Sequence, residues 1–332
     1  MRLFAIFLLT GSAWGAACIT ATPACTEFVT LGGGPSRSLV YRTFPLDAKN
    51  ERITRALIVI HGTNRDADNY FRTALASAFL AGALEDAVVI VPRIASSTGG
   101  CHDTLAPNEV SYSCTGDSWR SGGVASNNEK LTSFDFVDEI LRKLASRQAF
   151  PNLQSIVVAG HSAGGQFVNR YEMSNHVHET LGVPVSYVVA NPSSYAYLDN
   201  TRPVREGAEF RVYSDGRNCT TFDRWPYGLQ GRTGYASQLT NEQLRTQLAS
   251  RPVTYLLGEI DILPLGGFDG SCPAMAQGPT RLARGQAFAK YVTEKFAARH
   301  QVQLVELCGH NARCMFTSEA ALPLLFPKSG AH

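Results

Sequence analysis

The chain reads as an α/β protein, a mostly parallel sheet with helices on both of its faces. Three observations predict this. Short runs rich in β-branched and aliphatic residues recur at 55–60, 87–92, 155–160, 185–191, 253–258 and 302–307. Segments with apolar residues at helical spacing separate most of them, and strands alternating with helices build parallel sheets covered on both sides. Two long irregular stretches, 92–128 and 192–239, each follow one of the runs. In open sheets of this kind ligands gather at the carboxyl ends of the strands, so these stretches mark the functional edge.

Taken in order, Arg37–Thr43, "RSLVYRT", alternates like a half-buried strand. "RALIVI" (55–60) is apolar without alternation after Arg55, as a strand buried on both faces should be. Residues 66–80 follow as a helix, and "AVVIVP" (87–92) is a strand closed by Pro92. Residues 131–144 form an amphipathic helix, capped by Thr132 or Ser133, with Asp135 or Asp138 in its first turns. "SIVVAG" (155–160) leads into a helix over 163–175, and "VSYVVAN" (185–191) is the next strand. A short helix over 241–250, the strand "VTYLLG" (253–258), a long helix over 281–300, the strand "VQLVEL" (302–307) and a helix over 318–326 complete the chain. Internal repeats, low-complexity blocks and linkers are lacking, so residues 18–332 are expected to form a single domain.

The balance of 44% hydrophobic and 17% charged residues over 332 positions is that of an ordinary globular protein. A net charge of +2 without a basic block or acidic tail gives no footprint for nucleic acid or a membrane surface. The opening "MRLFAIFLLTGSAWGAAC" has a positive Arg2, an apolar core at Leu3–Leu9 and small residues at Gly11–Ala17. It reads as a signal peptide over residues 1–17, which predicts a secreted or periplasmic protein. "GAAC" also resembles a lipoprotein box, which would place a lipid on Cys18, although Gly15 stands where a larger aliphatic is expected. That core is too short to span a bilayer and no later apolar run approaches ~20 residues, so no stable membrane insertion is expected. Eight cysteines follow at 18, 25, 101, 114, 219, 272, 308 and 314, an even number in an exported chain. Spacing suggests Cys18 with Cys25, Cys101 with Cys114 and Cys308 with Cys314, which leaves Cys219 and Cys272. Without a C-x-x-C there is no zinc or thioredoxin signature, and neither a metal nor another cofactor is expected.

Chemistry concentrates at Gly160-His161-Ser162-Ala163-Gly164, a G-x-S-x-G placed between a buried strand and a helix. That context gives the pattern meaning. A strand that turns into a helix within one residue holds its Ser exposed and immobile, and the flanking glycines let helix and strand pack closely. Ser needs a base, and a base needs an orienting acid. Asp261 lies just beyond the strand 253–258, with Glu259 and Asp269 as competitors. His310 lies in the loop after the last strand, in the right chain order for the base. An acyl-transfer oxyanion would take one amide from Ala163, next to the Ser, and another from the "IHGTN" loop (60–64), at Thr63 or Asn64. His61 in that loop reads as a structural residue.

Together "IHGT", "GHSAGG", "EID" and "CGH" occur in the order and spacing of the α/β-hydrolase superfamily, and the chain resembles its secreted serine esterases, a group that includes lipases, feruloyl esterases and polyester depolymerases. The resemblance covers roughly Arg37 to Phe326. It implies an eight-stranded, mostly parallel sheet and ester hydrolysis through an acyl-enzyme, with Ser162 as nucleophile, Asp261 as acid and His310 as base. The substrate would be a small or polymeric ester. Trp119, Tyr195 and Trp225 in the long loops are candidate stacking surfaces for it, and Arg120 a candidate contact for an acid group. The alternatives are a serine peptidase or amidase on the same fold, or a binding protein that retains the fold without catalysis.

Overall fold

The computed structural model describes residues 15–215 and 217–328. Most of the expected signal peptide, residues 1–14, therefore lies outside the described residues. Ten strands and eight α-helices are defined among them. Eight strands form one sheet, in the order β1 (Thr26–Thr30), β2 (Arg37–Arg42), β4 (Ala87–Pro92), β3 (Arg55–Ile60), β5 (Ser155–His161), β6 (Val185–Ala190), β9 (Val253–Gly258) and β10 (Gln301–Val305). The pairs β1–β2 and β2–β4 are antiparallel; from β4 through β10 every pair is parallel. The remaining strands, β7 (Thr201–Val204) and β8 (Glu209–Val212), make a separate hairpin.

The strands that read as continuous apolar runs are the central ones. Every residue of β3 and β4 is buried, because both sheet faces are covered. Ile58, Ile60, Ile156 and Val158 pack into one core layer with α2 (Ser133–Leu144), α3 (Ala163–Ser174) and α6 (Arg281–Phe296). Leu57, Val59, Val157 and Ala159 face the opposite layer, closed by α1 (Ala67–Leu80), α7 (Ala312–Phe316) and α8 (Leu322–Leu325). Helices α4 (Asn241–Ser250) and α5 (Cys272–Met275) complete the set. Of the two possible caps on α2, Thr132 is the one used: its hydroxyl accepts from the Asp135 amide, and the Asp135 carboxylate accepts from the Thr132 amide.

Several segments differ from the sequence reading. Strand β1 and the β7–β8 hairpin were not anticipated. The hairpin carries Pro203 and charged residues, and is held by the buried Arg202, which donates to the carbonyls of Asp199, Thr201 and Phe222. Helix α6 ends at Phe296 rather than 300, where Ala297 turns left-handed at φ 52°. The closing helix expected over 318–326 is confined to α8, Leu322–Leu325, which has Pro323 in its first turn, and the short α7 before it, Ala312–Phe316, is a helix that the sequence reading did not include.

Asp138 shows how tightly the layers are joined. Its buried carboxylate accepts from the hydroxyls of Tyr171 (2.6 Å) and Tyr235 (2.5 Å), tying α2 to α3 and to the turn at Gly234–Gln238. Burial pushes this carboxyl up to about 6, against the pull of the two hydroxyls. A raised carboxyl favours the fold fully below its unfolded value and loses that contribution as pH rises through the folded one. Thermal melts of wild type and Asp138→Asn should therefore diverge between about pH 4 and pH 7, with wild type losing up to ~3 kcal/mol relative to the variant as pH rises. A constant difference across that range would mean that Asp138 does not titrate there.

Candidate active site

The elbow is built by close backbone packing. Ser162 sits between β5 and α3 with φ 60° and ψ −118°, a strained conformation for a residue with a Cβ. A Cβ on Gly160 would lie 2.2 Å from the Gly164 carbonyl oxygen, and one on Gly164 would lie 2.1 Å from that of Ile60. The two glycines thus let α3 start directly against β5 and β3. Ala163 is the first residue of α3, so its amide has no partner within the helix.

Three loops bring polar side chains to this point. His310 Nε2 lies 2.9 Å from Ser162 Oγ, and His310 Nδ1 lies 2.8 Å from Asp261 Oδ2. A carboxylate only accepts, so Nδ1 carries the proton and Nε2 accepts from the Ser162 hydroxyl. Ser162 and Asp261 are buried, and the His310 side chain is 10% exposed. The two competing acids are engaged elsewhere. Glu259 accepts from the Leu307 amide, and Asp269 accepts from the hydroxyls of Tyr227 and Ser271.

Thr63 is exposed at the start of the loop after β3. A Cβ on Gly267 would meet its Cγ2 at 3.4 Å, and one on neighbouring Gly266 would meet His310 Cδ2 at 3.1 Å, so the Asp261 loop runs past both residues. His61 is buried and fixes the loop from beneath. Its Nδ1 donates to the Gly62 carbonyl (2.9 Å) and its Nε2 accepts from the Ile94 amide (3.2 Å). Burial lowers it to about 4, which keeps it neutral. His161 packs its ring 4.7 Å from that of His310 and lies 3.2 Å from the Tyr70 hydroxyl. Burial, together with His310 and Arg281, holds it well below the usual histidine range, so it adds no charge beside His310.

Two residues here escaped the sequence reading. Asn191, at φ 43°, accepts from the Gly258 amide and donates to the Gly309 carbonyl, joining the ends of β6 and β9 to the His310 loop. Arg281 is fully buried and pairs with Asp261 at 3.4 Å. One signal existed for it: an arginine in the first turn of a helix opposes the helix dipole and needs a reason to be there.

Two of the three aromatic candidates, Trp119 and Tyr195, require correction. Trp119 and Tyr195 have no exposed surface and offer no face to a ligand. Trp119 packs against His61 and Phe167, and Tyr195 stacks on Phe288 at 4.6 Å. Trp225 is partly buried, and its indole N–H donates to the Ser121 carbonyl. Arg120 donates to Gln166 Oε1 at 2.6 Å. Several large aliphatic side chains stand exposed on the loops that carry the acid and the base: Ile260, Ile262, Leu263 and Leu265 on the Asp261 loop, and Leu307 before the His310 loop.

All eight cysteines are paired, as Cys18–Cys25, Cys101–Cys114, Cys219–Cys272 and Cys308–Cys314. The Cys18 sulfur is thus occupied by Cys25, and a lipid on it would require that bridge to be broken. Cys308–Cys314 closes a loop of sequence separation 6 around His310. A Cys308→Ser, Cys314→Ser double variant is expected to lose only about 2–3 kcal/mol of stability. Turnover should fall by roughly 10-fold or more, because a looser imidazole is misplaced for the reaction. Unchanged turnover with a lower melting temperature would assign the bridge a purely structural role.

No protein-family model and no curated protein sequence matches the chain. Solved structures do match it in fold. A poly(aspartic acid) hydrolase from Sphingomonas sp. KT-1 aligns with a TM-score of 0.61 at 22% identity, over 90% of this chain and 97% of that one. A poly(3-hydroxybutyrate) depolymerase from Bordetella parapertussis aligns with a TM-score of 0.59 at 20% identity, over 90% of this chain and 87% of that one. With its strand order, its Ser-bearing elbow and these likenesses, the chain has the α/β-hydrolase fold.

Proposed function

We propose that the protein is a secreted or periplasmic serine hydrolase that cleaves carboxylic esters. The observation that carries this reading is the hydrogen-bonded chain Ser162–His310–Asp261 at the carboxyl end of a central strand. In the proposed cycle His310 Nε2 takes the proton from Ser162 Oγ as the oxygen attacks the ester carbonyl. Asp261 holds Nδ1–H and stabilises the imidazolium. The amides of Ala163 and Thr63 donate hydrogen bonds to the developing oxyanion. His310 then protonates the departing alcohol, and a water activated in the same way releases the acid and frees Ser162. No step calls on a cofactor.

The exposed aliphatic side chains beside His310 suit an acyl or alcohol part of apolar character, on a small or polymeric ester. Four cystine bridges support oxidising surroundings, outside the cytoplasm. Amide hydrolysis is the second reading, because the same groups serve it and one fold neighbour is named for a poly(amino acid). A fluorophosphonate probe followed by a matched panel of esters and amides tests both. Labelling of Ser162 with ester turnover supports the first reading, and labelling with amide turnover alone supports the second. Failure to label, with neither turnover, leaves a binding protein.

A further inference from the structure

We propose that Arg281 is a positioning residue for Asp261, fixing the orientation and the effective charge of the carboxylate that supports His310. The inference rests on the triad reading and adds a fourth member to it.

Asp261 divides its two oxygens. Oδ2 accepts from His310 Nδ1, and Oδ1 faces Arg281 Nη1 at 3.4 Å. The rest of the guanidinium is spent on the surrounding loops. Nε donates to Ser193 Oγ at 2.7 Å, and Nη2 donates to the carbonyls of Leu265 at 2.7 Å and Gly266 at 2.9 Å. Gly266 is the residue whose Cβ would touch the His310 ring. One rigid fork therefore grips the acid, the loop that carries the acid and the loop after β6. The carboxylate cannot turn its Oδ2 away from the imidazole without losing a buried ionic partner.

Its helix position and its burial both count against a cation there. Arg281 is the first residue of α6, capped by Thr280, where the dipole disfavours a cation. It is fully buried, and it lies near Arg284, with which it shares the face of Phe268. A buried cation is tolerated when an anion and a full set of acceptors meet it. Asp261 is that anion.

The neighbouring titratable groups do not take its place. His161 is held neutral, the buried Tyr195 hydroxyl is held well above its usual range, and Arg284 is engaged by the carbonyls of Ser193 and Asp269. A cation behind the carboxylate weakens its hold on an imidazolium. Removing that cation favours the protonated ring, so the acid limb of the rate profile moves to higher pH.

The test is ester hydrolysis by the full chain carrying Arg281→Met or Arg281→Lys, each also in an Asp261→Asn background. Arg281→Met is expected to lower kcat by roughly 30- to 100-fold with little change in KM. Its acid limb should rise by about one pH unit. Arg281→Lys should leave that limb in place and recover part of kcat. In the Asp261→Asn background either change should lose less than ~3-fold, because the partner is already gone. Equal losses in both backgrounds, an unmoved limb in Arg281→Met, or wild-type kcat would each overturn the proposal. If Arg281→Met does not fold, Arg281→Lys decides by the same comparison of backgrounds. Ser162→Ala run alongside separates the two levels. Turnover surviving there defeats the ester-hydrolase reading and this proposal with it, whereas loss there with normal Arg281 variants defeats this proposal alone.

Discussion

Replacing Ser162 by Ala is expected to abolish fluorophosphonate labelling and to lower ester turnover by roughly 10⁴- to 10⁶-fold, with the fold intact. Without Oγ there is no nucleophile for His310 to activate, and the remaining amides bind but do not react. His310→Ala should fall as far, and the double variant little further, since the two act as one unit. Asp261→Asn should lose somewhat less, because it leaves the base in place with its ring tautomer unset. The Asp269→Asn control should keep most activity, as Asp269 is bonded to Tyr227 and Ser271 instead. Steady-state kinetics alongside near-ultraviolet circular dichroism checks all five variants. Ordinary turnover in Ser162→Ala would remove Ser162 from the chemistry, and a collapse in Asp269→Asn would move the acid to that residue.

The largest effect on stability is expected at a residue that touches no substrate. In Gly164→Ala the added methyl would sit 2.1 Å from the Ile60 carbonyl oxygen and 2.7 Å from that of His61. Both obstacles are backbone in the centre of the sheet, so neither can swing aside as a side chain would. Helix α3 must lift from β3, at about 4 kcal/mol or more. That is a large share of the ~5–15 kcal/mol available to a typical fold. A melting temperature lower by roughly 10 °C, or failure to accumulate as folded protein, is the expected result. Gly34→Ala is the control, since nothing lies within 4 Å of a Cβ there. Equal melting temperatures for the two variants would show that the elbow relaxes and that its glycines are not required by packing.

What the sequence disclosed follows from how local each feature is. The central strands were legible because burial on both faces leaves a run such as "AVVIVP" with hardly any polar residue. Strand β1 was not, since only Val29 of its five residues is buried and the strand pairs with a single neighbour. The elbow was legible because strand, Ser and helix are contiguous, and the order of Ser162, Asp261 and His310 located three residues that the fold brings within hydrogen-bond distance. Arg281 and Asn191 act through contacts across the sheet that no spacing announces. The reading of Trp119 and Tyr195 failed for a related reason: a long loop was equated with an exposed one. The loop after β4 instead folds back to bury Trp119 beside His61, and that after β6 buries Tyr195 against α6.

The cystine pattern has a consequence for how the chain is made. Eight cysteines admit 105 complete pairings. The one observed joins each cysteine to the next along the chain, with separations of 7, 13, 53 and 6 residues. A polypeptide threading through a membrane from its N-terminus presents its thiols in that same order. Cys25 arrives while Cys18 is the available partner, and Cys114 arrives while Cys101 is. Each short loop closes at high effective concentration before the next thiol emerges. Only Cys219 must wait, across its 53 residues, for Cys272. Under the export proposed above, oxidation in order of arrival gives the native set directly, and correct pairing asks little of any enzyme that reshuffles bonds.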